Sequence, residues 1–159
     1  MKNRIFSILC QNAPGVMMRI TRVFTRRQIN IDSITVGIEP SGLARIILMF
    51  KADDKHTELL RHILLKLEPI EAVEVIEPED SVVREVALIK TNPLPPDQHW
   101  RIVEQIERAG GKIIDSREGA IIAEISGEHN QIERLLRSLG PEVLREVARS
   151  GQVYISREF

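Results

Sequence analysis

Cysteine is almost missing from this chain: Cys10 is the only one among 159 residues. No disulfide can form within it, so a stapled secreted scaffold is excluded and a reducing, cytoplasmic setting is expected. Cys10 lies inside an apolar run, where a thiol packs as a small hydrophobe. Aromatic residues are scarce at 4%, so the core must be built from Ile, Leu and Val. An excess of one charge is missing too. Lys and Arg number 22 against 23 Asp and Glu, and residues 1–80 carry eleven of each sign. Without a basic field, nucleic-acid binding has no electrostatic driving force. No apolar run is long enough to span a bilayer, and no signal-peptide pattern is present. Neither nucleic acid nor membrane is an expected partner.

Catalytic signatures are absent as well. There is no Gly-x-Ser-x-Gly, no phosphate-cradling Gly-rich loop and no dinucleotide fingerprint. His56, His62, His99 and His129 fall in different segments at spacings that suit no metal, and read as solvated surface residues. Asp53-Asp54 and Glu77-Pro78-Glu79-Asp80 read as a helix cap and a linker rather than a general acid/base pair. No catalytic residue and no metal ligand is assigned. A binding or regulatory module is expected.

What the chain does have is Asn12-Ala13-Pro14-Gly15, set between an apolar strand pattern, Ile5–Cys10, and helical spacing at Val16, Ile20, Val23 and Phe24. Pro14 needs no hydrogen-bond donor and suits a helix start. Gly15 leaves the first-turn N–H groups unshielded, so a carboxylate can approach them and the positive end of the helix dipole. Asn12 can add a side-chain amide. A plain helix cap is the competing reading.

The pattern then repeats. The first half reads as strand (about 4–11), helix (about 16–28), a hairpin of two strands (about 32–39 and 43–52) around Pro40-Ser41-Gly42, helix from Asp53-Asp54, and strand (about 70–76). The second half reads as strand (about 82–91), helix (about 97–109), hairpin (about 112–116 and 120–126), helix around Ile132–Leu139, and strands at about 143–149 and 153–157, the last one extra. Each half is a βαββαβ, ferredoxin-like unit, an α+β fold, with the division expected at residues 1–78 and 79–159. Ile46, Leu48 and Phe50 alternate with Ile47 and Met49, so the strand is apolar on both faces. A half this small hides such a surface with difficulty, which implies a homodimer.

Two further features invite function. Asn30 follows helix one just before a strand that can lie at the sheet edge. Two edges meeting in a dimer would bring Asn30 of one chain near the Asn12–Gly15 turn of the other. An amino acid would then find N–H donors for its carboxylate and oxygens for its ammonium, with only apolar contacts around it from Val16, Met17, Ile31 and Ile34. A turn role for Asn30 is the alternative. Helix one also carries Arg19, Arg22, Arg26 and Arg27 and no acid. Arg19, Arg22 and Arg26 share a face, which reads as a solvated face or as a docking stripe for an acidic protein surface.

In order along the chain, Ile8-Leu9-x3-Ala13-Pro14-Gly15-Val16, Arg19-Ile20-x2-Val23-Phe24-x-Arg26-Arg27 and Asn30-Ile31-Asp32-Ser33-Ile34-Thr35-Val36-Gly37 resemble the small regulatory subunit of acetolactate synthase. So do Val83-Arg84-Glu85-x-Ala87-Leu88-Ile89-Lys90, Gly111-Lys112-Ile113-Ile114-Asp115 and Glu146-Val147-Ala148-Arg149-Ser150-Gly151. The resemblance implies an N-terminal ACT domain that dimerises and a C-terminal domain of similar topology. It implies feedback by valine or a related branched-chain amino acid, with effector contacts on Asn12, Gly15, Val16 and Met17 and, from the other chain, Asn30 and Ile31. It implies activation of a separate catalytic subunit, which would hold thiamine diphosphate, Mg and FAD; none is expected in this chain. Met17-Met18 departs from the smaller residues usual there, the turn Glu39–Leu43 is short and lacks the usual acids, and Ala44 replaces a common serine; these touch effector identity. The alternative function is a free-standing amino-acid-responsive regulator of transcription, but the two units leave no helix-turn-helix segment over.

Overall fold

The computed structural model describes residues 1–158, and for Pro78 the backbone alone. The elements run β1 (Lys2–Cys10), α1 (Val16–Thr25), β2 (Ile31–Ile38), β3 (Ala44–Ala52), α2 (Asp54–Leu64) and β4 (Ile70–Val75). A short 3-10 turn, Pro78–Asp80, leads into β5 (Ser81–Thr91), α3 (Pro96–Arg108), β6 (Lys112–Arg117), β7 (Ala120–Gly127), α4 (His129–Leu139) and β8 (Leu144–Ser156). The sheets have the same order, β2-β3-β1-β4 and β6-β7-β5-β8. Both are antiparallel in every pairing given, with β2 and β6 as edge strands. The two ferredoxin-like units expected from the repeat are therefore present. No helix among the described residues is long and apolar enough to cross a membrane.

In the first unit, Phe6, Ile8 and Cys10 of β1 and Ile46, Leu48 and Phe50 of β3 point to the helix side. They pack with Ile20 and Phe24 of α1 and Leu60 and Leu64 of α2. Phe50 receives the rings of Phe6 and Phe24 edge-on, at 4.8 and 5.1 Å, a favoured aromatic geometry. Burial raises the Cys10 thiol pKa, as suits an inert core thiol. The second unit has a separate core of Ala87, Ile89, Ile106, Ile121, Ile125 and Ile132.

Three details differ from the sequence reading. Helix one ends at Thr25 rather than Gln28. The chain must reverse into β2 within a few residues, so Arg27 N–H and Gln28 N–H turn back to the Phe24 and Thr25 carbonyls, and Gln28 takes φ +54°. The two expected C-terminal strands are one strand, β8. Gly151 at φ +80° lets it bend without ending, and the Ser150 hydroxyl accepts the N–H of Val86 there. Finally, Ile47 and Met49 are buried within the chain, at 5% and 8% exposure. Residues 152–158 pack with the first unit, residues 83–151 forming the second. Tyr154 lies on the helix-free face, its hydroxyl donating to Glu74 at 2.8 Å, with the Arg45 guanidinium 6.0 Å from its ring. That second apolar face does not need a partner chain to cover it. Apolar side chains stay open on β2, where Ile34, Val36 and Ile38 are 40%, 51% and 58% exposed, and on the tail itself, where Val153 and Ile155 are exposed.

Candidate functional site

The turn between β1 and α1 carries the candidate effector site. Gly15 is the N-cap of α1 at φ +83°, with no side-chain cap. A Cβ there would meet nothing within 4 Å. Glycine is thus required by the left-handed backbone, not by crowding. Val16 N–H reaches the Ala13 carbonyl at 3.4 Å and Arg19 N–H the Gly15 carbonyl at 3.1 Å. Between them, Met17 and Met18 N–H find no acceptor among the described residues. Those two donors and the dipole end suit a carboxylate. Asn12 and Gly15 are exposed, Val16 is buried beneath them, and Met17 is half-buried against the core.

Asn30 precedes β2 and is exposed. Its amide nitrogen donates to the Asp32 carboxylate at 3.1 Å. With the nitrogen engaged, the amide oxygen is left to act as an acceptor for a cation. Ile31, half-buried, packs on the same core as Met17 and pairs with Phe50. Within one chain, no hydrogen bond joins Asn30 to the Asn12–Gly15 turn among the described residues. The structure brings Asn12, Gly15, Val16 and Met17 together, and sets Asn30 and Ile31 at the root of the exposed edge strand.

Arg19, Arg22 and Arg26 line a groove of about 540 Å³ between α1 and α2. Arg27 joins them, and Val23, Ile63 and Leu67 form its floor. Arg27 Nη1 donates to the Val23 carbonyl at 3.2 Å, and Arg22 rests on the Met18 sulfur at 3.9 Å. No carboxylate pairs with any of the four among the described residues. Arg27, Ile63 and Leu67 were missed from sequence as part of this feature. The only signal was that α1 and α2 both present apolar stripes that must lie side by side.

A polar network was missed entirely. Glu85, 4% exposed, receives Arg149 Nε at 2.5 Å and Nη2 at 3.0 Å, and faces His129 Nδ1 at 3.1 Å. Arg149 also pairs with Glu133. Burial pushes the Glu85 pKa up, but hydrogen bonds from Arg149 and His129 outweigh it and hold it below the ordinary value. The Arg149 hydrogen bond lowers Glu133 likewise. His129 is therefore not the solvated residue expected. His99 shares a 3.0 Å hydrogen bond with Ser116, and His56 contacts Asp53. Asp53 caps α2 through the His56 N–H, as its position suggested. Among the described residues no group of three or more His, Cys, Asp or Glu is placed to hold a metal ion.

Residues 6–72 match the family model described as the AHAS small subunit-like ACT domain. Residues 84–158 match that of the small subunit of acetolactate synthase. A probable acetolactate synthase small subunit from Archaeoglobus fulgidus is 35% identical over 159 residues, 99% of this chain and 98% of its own. The acetolactate synthase small subunit of Bacillus subtilis is 35% identical over 156 residues, 97% and 90% of the two chains. The crystal structure of the Thermotoga maritima acetolactate synthase small subunit superposes with a TM-score of 0.86 at 38% identity, covering 99% of this chain and 98% of that one.

Proposed function

The chain belongs to the acetolactate synthase small-subunit family, and from that premise we propose that it is a non-catalytic regulatory subunit. It activates a separate catalytic chain, which carries thiamine diphosphate, Mg and FAD, and it confers feedback inhibition by valine or a related branched-chain amino acid. The cytoplasm is its place of action.

The observation that carries this reading is the pairing of an uncapped Gly15 turn with an exposed apolar edge strand in one unit. Two β2 edges pairing about a two-fold axis would continue each sheet into the other and cover Ile34, Val36 and Ile38. Such a homodimer sets Asn30 and Ile31 of one protomer against the Asn12–Gly15 turn of its partner. The effector carboxylate then takes the Met17 and Met18 N–H groups, with Asn12 beside them. Its ammonium takes the Asn30 amide oxygen, the amide being restrained by the Asn30 Nδ2 hydrogen bond to Asp32. Val16, Met17 and Ile31 leave room for an aliphatic side chain and offer nothing to a polar one. The flexible Met17 shapes the far end of that pocket.

The test is reconstitution with the catalytic subunit and assay of acetolactate formation from pyruvate, with and without valine. Stimulation by this chain and its reversal by valine are expected. A catalytic subunit whose rate ignores this chain would refute the proposal.

A further inference from the structure

We propose that the groove between α1 and α2 receives a segment of the catalytic subunit in which carboxylates flank an aliphatic side chain. This rests on the regulatory-subunit reading above, and it names the docking surface and the chemistry of what enters it.

The charge argument comes first. Arg19 and Arg22 on α1, Arg26 at its C-cap and Arg27 in the turn just beyond lie within nine residues that hold no acid, and no carboxylate pairs with them among the described residues. Their guanidinium forks match carboxylates in a two-pronged geometry. Contact with Met18 and the Val23 carbonyl already restrains Arg22 and Arg27, so less side-chain freedom is lost on binding.

The floor argument decides the kind of acid. Val23, Ile63 and Leu67 lie at the bottom of a groove of about 540 Å³. A flat acidic surface would touch the arginine rim and leave that floor wet. A small inorganic anion would do the same. A segment that drops an aliphatic side chain between its carboxylates fills both, giving the apolar centre and charged rim of a stable interface. The placement also fits regulation. Arg26 lies eleven residues beyond Gly15, roughly 16 Å at helical rise. One helix therefore carries the effector turn at its start and the docking surface along its length.

The experiment titrates the full chain against the catalytic subunit of the same organism, reading association and stimulated acetolactate formation. Arg22→Glu with Arg26→Glu is expected to weaken association at least about thirtyfold at low salt, with the gap closing near about 0.5 M salt. Leu67→Gln is expected to weaken it about tenfold at both salts, because apolar burial is not screened. Far-UV circular dichroism and a retained valine-induced thermal shift report that each variant is folded; Ile63→Gln probes the same floor should Leu67→Gln fail to fold. Unchanged association in the arginine variant overturns the proposal. So does arginine dependence with folded floor variants that bind normally, since that is steering by a solvated face. Displacement of the catalytic subunit by inorganic pyrophosphate, lost in the arginine variant, overturns it in favour of a small-anion site. Failure of the unaltered chain to bind the catalytic subunit at all removes the regulatory reading and the assigned occupant together.

Discussion

The two units share one topology and differ where a ligand or a second chain would meet them. In the first, the turn ahead of α1 is Asn12-Ala13-Pro14-Gly15, uncapped. In the second, the matching turn is Asn92-Pro93-Leu94-Pro95-Pro96, with Pro95 as N-cap and Pro96 opening α3. Three prolines remove three N–H donors. Asn92 N–H meets the Val143 carbonyl at 2.9 Å and Leu94 N–H the Gly119 carbonyl at 3.1 Å, while Asp97 and Gln98 N–H, like Met17 and Met18 N–H, have no acceptor among the described residues. What sets the second helix start apart is the lack of a glycine and the Asp97 carboxylate in its first turn, which repels a second carboxylate; the first turn of α1 has no acid.

The edge strands diverge in the same way. β2 is eight residues long, exposes Ile34, Val36 and Ile38, and has Asp32 as its one charge. β6 has six residues and carries Lys112, Asp115 and Arg117; each edge shifts register once, β2 between Ile31 and Ser33 and β6 between Ile113 and Asp115. Short length and charge are how an edge is kept from pairing. The features on which the proposed effector site and dimer rest are thus in the first copy and reduced in the second. The second copy's distinctive chemistry is inward, in the Glu85–Arg149–Glu133–His129 network.

The contrast between edges is broken most severely by Val36→Asp. The position is half-exposed in the single chain, so the monomer tolerates it, while a dimer would bury two unpaired carboxylates near its axis. Sedimentation should show monomer, and the valine-induced thermal shift should vanish with the shared site. A dimer of ordinary stability with an intact shift would place the interface elsewhere.

The contrast between turns is tested by Gly15→Asp beside Gly15→Asn. Both fit the open space and both pay a similar cost, about 1 kcal/mol, for a left-handed backbone that Asn and Asp tolerate best. Only Asp sets a negative charge against the effector's carboxylate. Calorimetry should find valine binding weakened by at least about 2–3 kcal/mol in Gly15→Asp, and much less in Gly15→Asn. Equal affinities in the two variants would remove the carboxylate from this turn.

The inward network gives the second unit its own acid sensitivity. Glu85 and Glu133 have depressed pKa values in the folded chain. Their contribution to stability is fully present above the ordinary glutamate value of about 4.3, and is lost as pH falls through the depressed ones. Protection of residues 83–151 against hydrogen exchange, relative to the intrinsic rate at each pH, should fall below about pH 4. Glu85→Gln should cost about 1–3 kcal/mol at neutral pH and flatten the acid dependence. An unchanged acid profile in Glu85→Gln would show that the network contributes no linked stability.

Much of this architecture was legible in the residues. Apolar periodicity gave both units, because each helix and most strands bury one face against the core of their own unit. The Gly15 turn was legible because Pro and Gly fix backbone geometry locally. The Glu85–Arg149 contact was not, although both residues sit in quoted motifs: 64 positions separate them, and no local rule pairs residues across strands so far apart. The role of the tail was missed for a related reason. Val153–Arg157 looked like an extra strand because nothing local says that Tyr154 reaches Ser7, Arg45 and Glu74. Helix one was drawn too long because Arg26-Arg27-Gln28 are good helix formers, and the reversal into β2 overrode their propensity.

The finest distinction lies between Asn30 as ligand and Asn30 as turn residue. Its amide nitrogen is already engaged by Asp32, so only the oxygen is left to meet an ammonium. Asn30→Ala removes that acceptor and should weaken valine binding by about 1–3 kcal/mol while hardly moving the melting temperature. Asp32→Ala leaves the acceptor but frees it to rotate. Its effect on binding should be smaller, about 0.5–1 kcal/mol, the order of one restrained side chain. The ranking is the diagnostic part. A turn role predicts that both variants lose folding stability and keep their affinity once folded. Direct contact by Asp32 rather than Asn30 predicts the reverse order in affinity. Titration calorimetry on both variants, with melting curves on the same samples, separates the three outcomes.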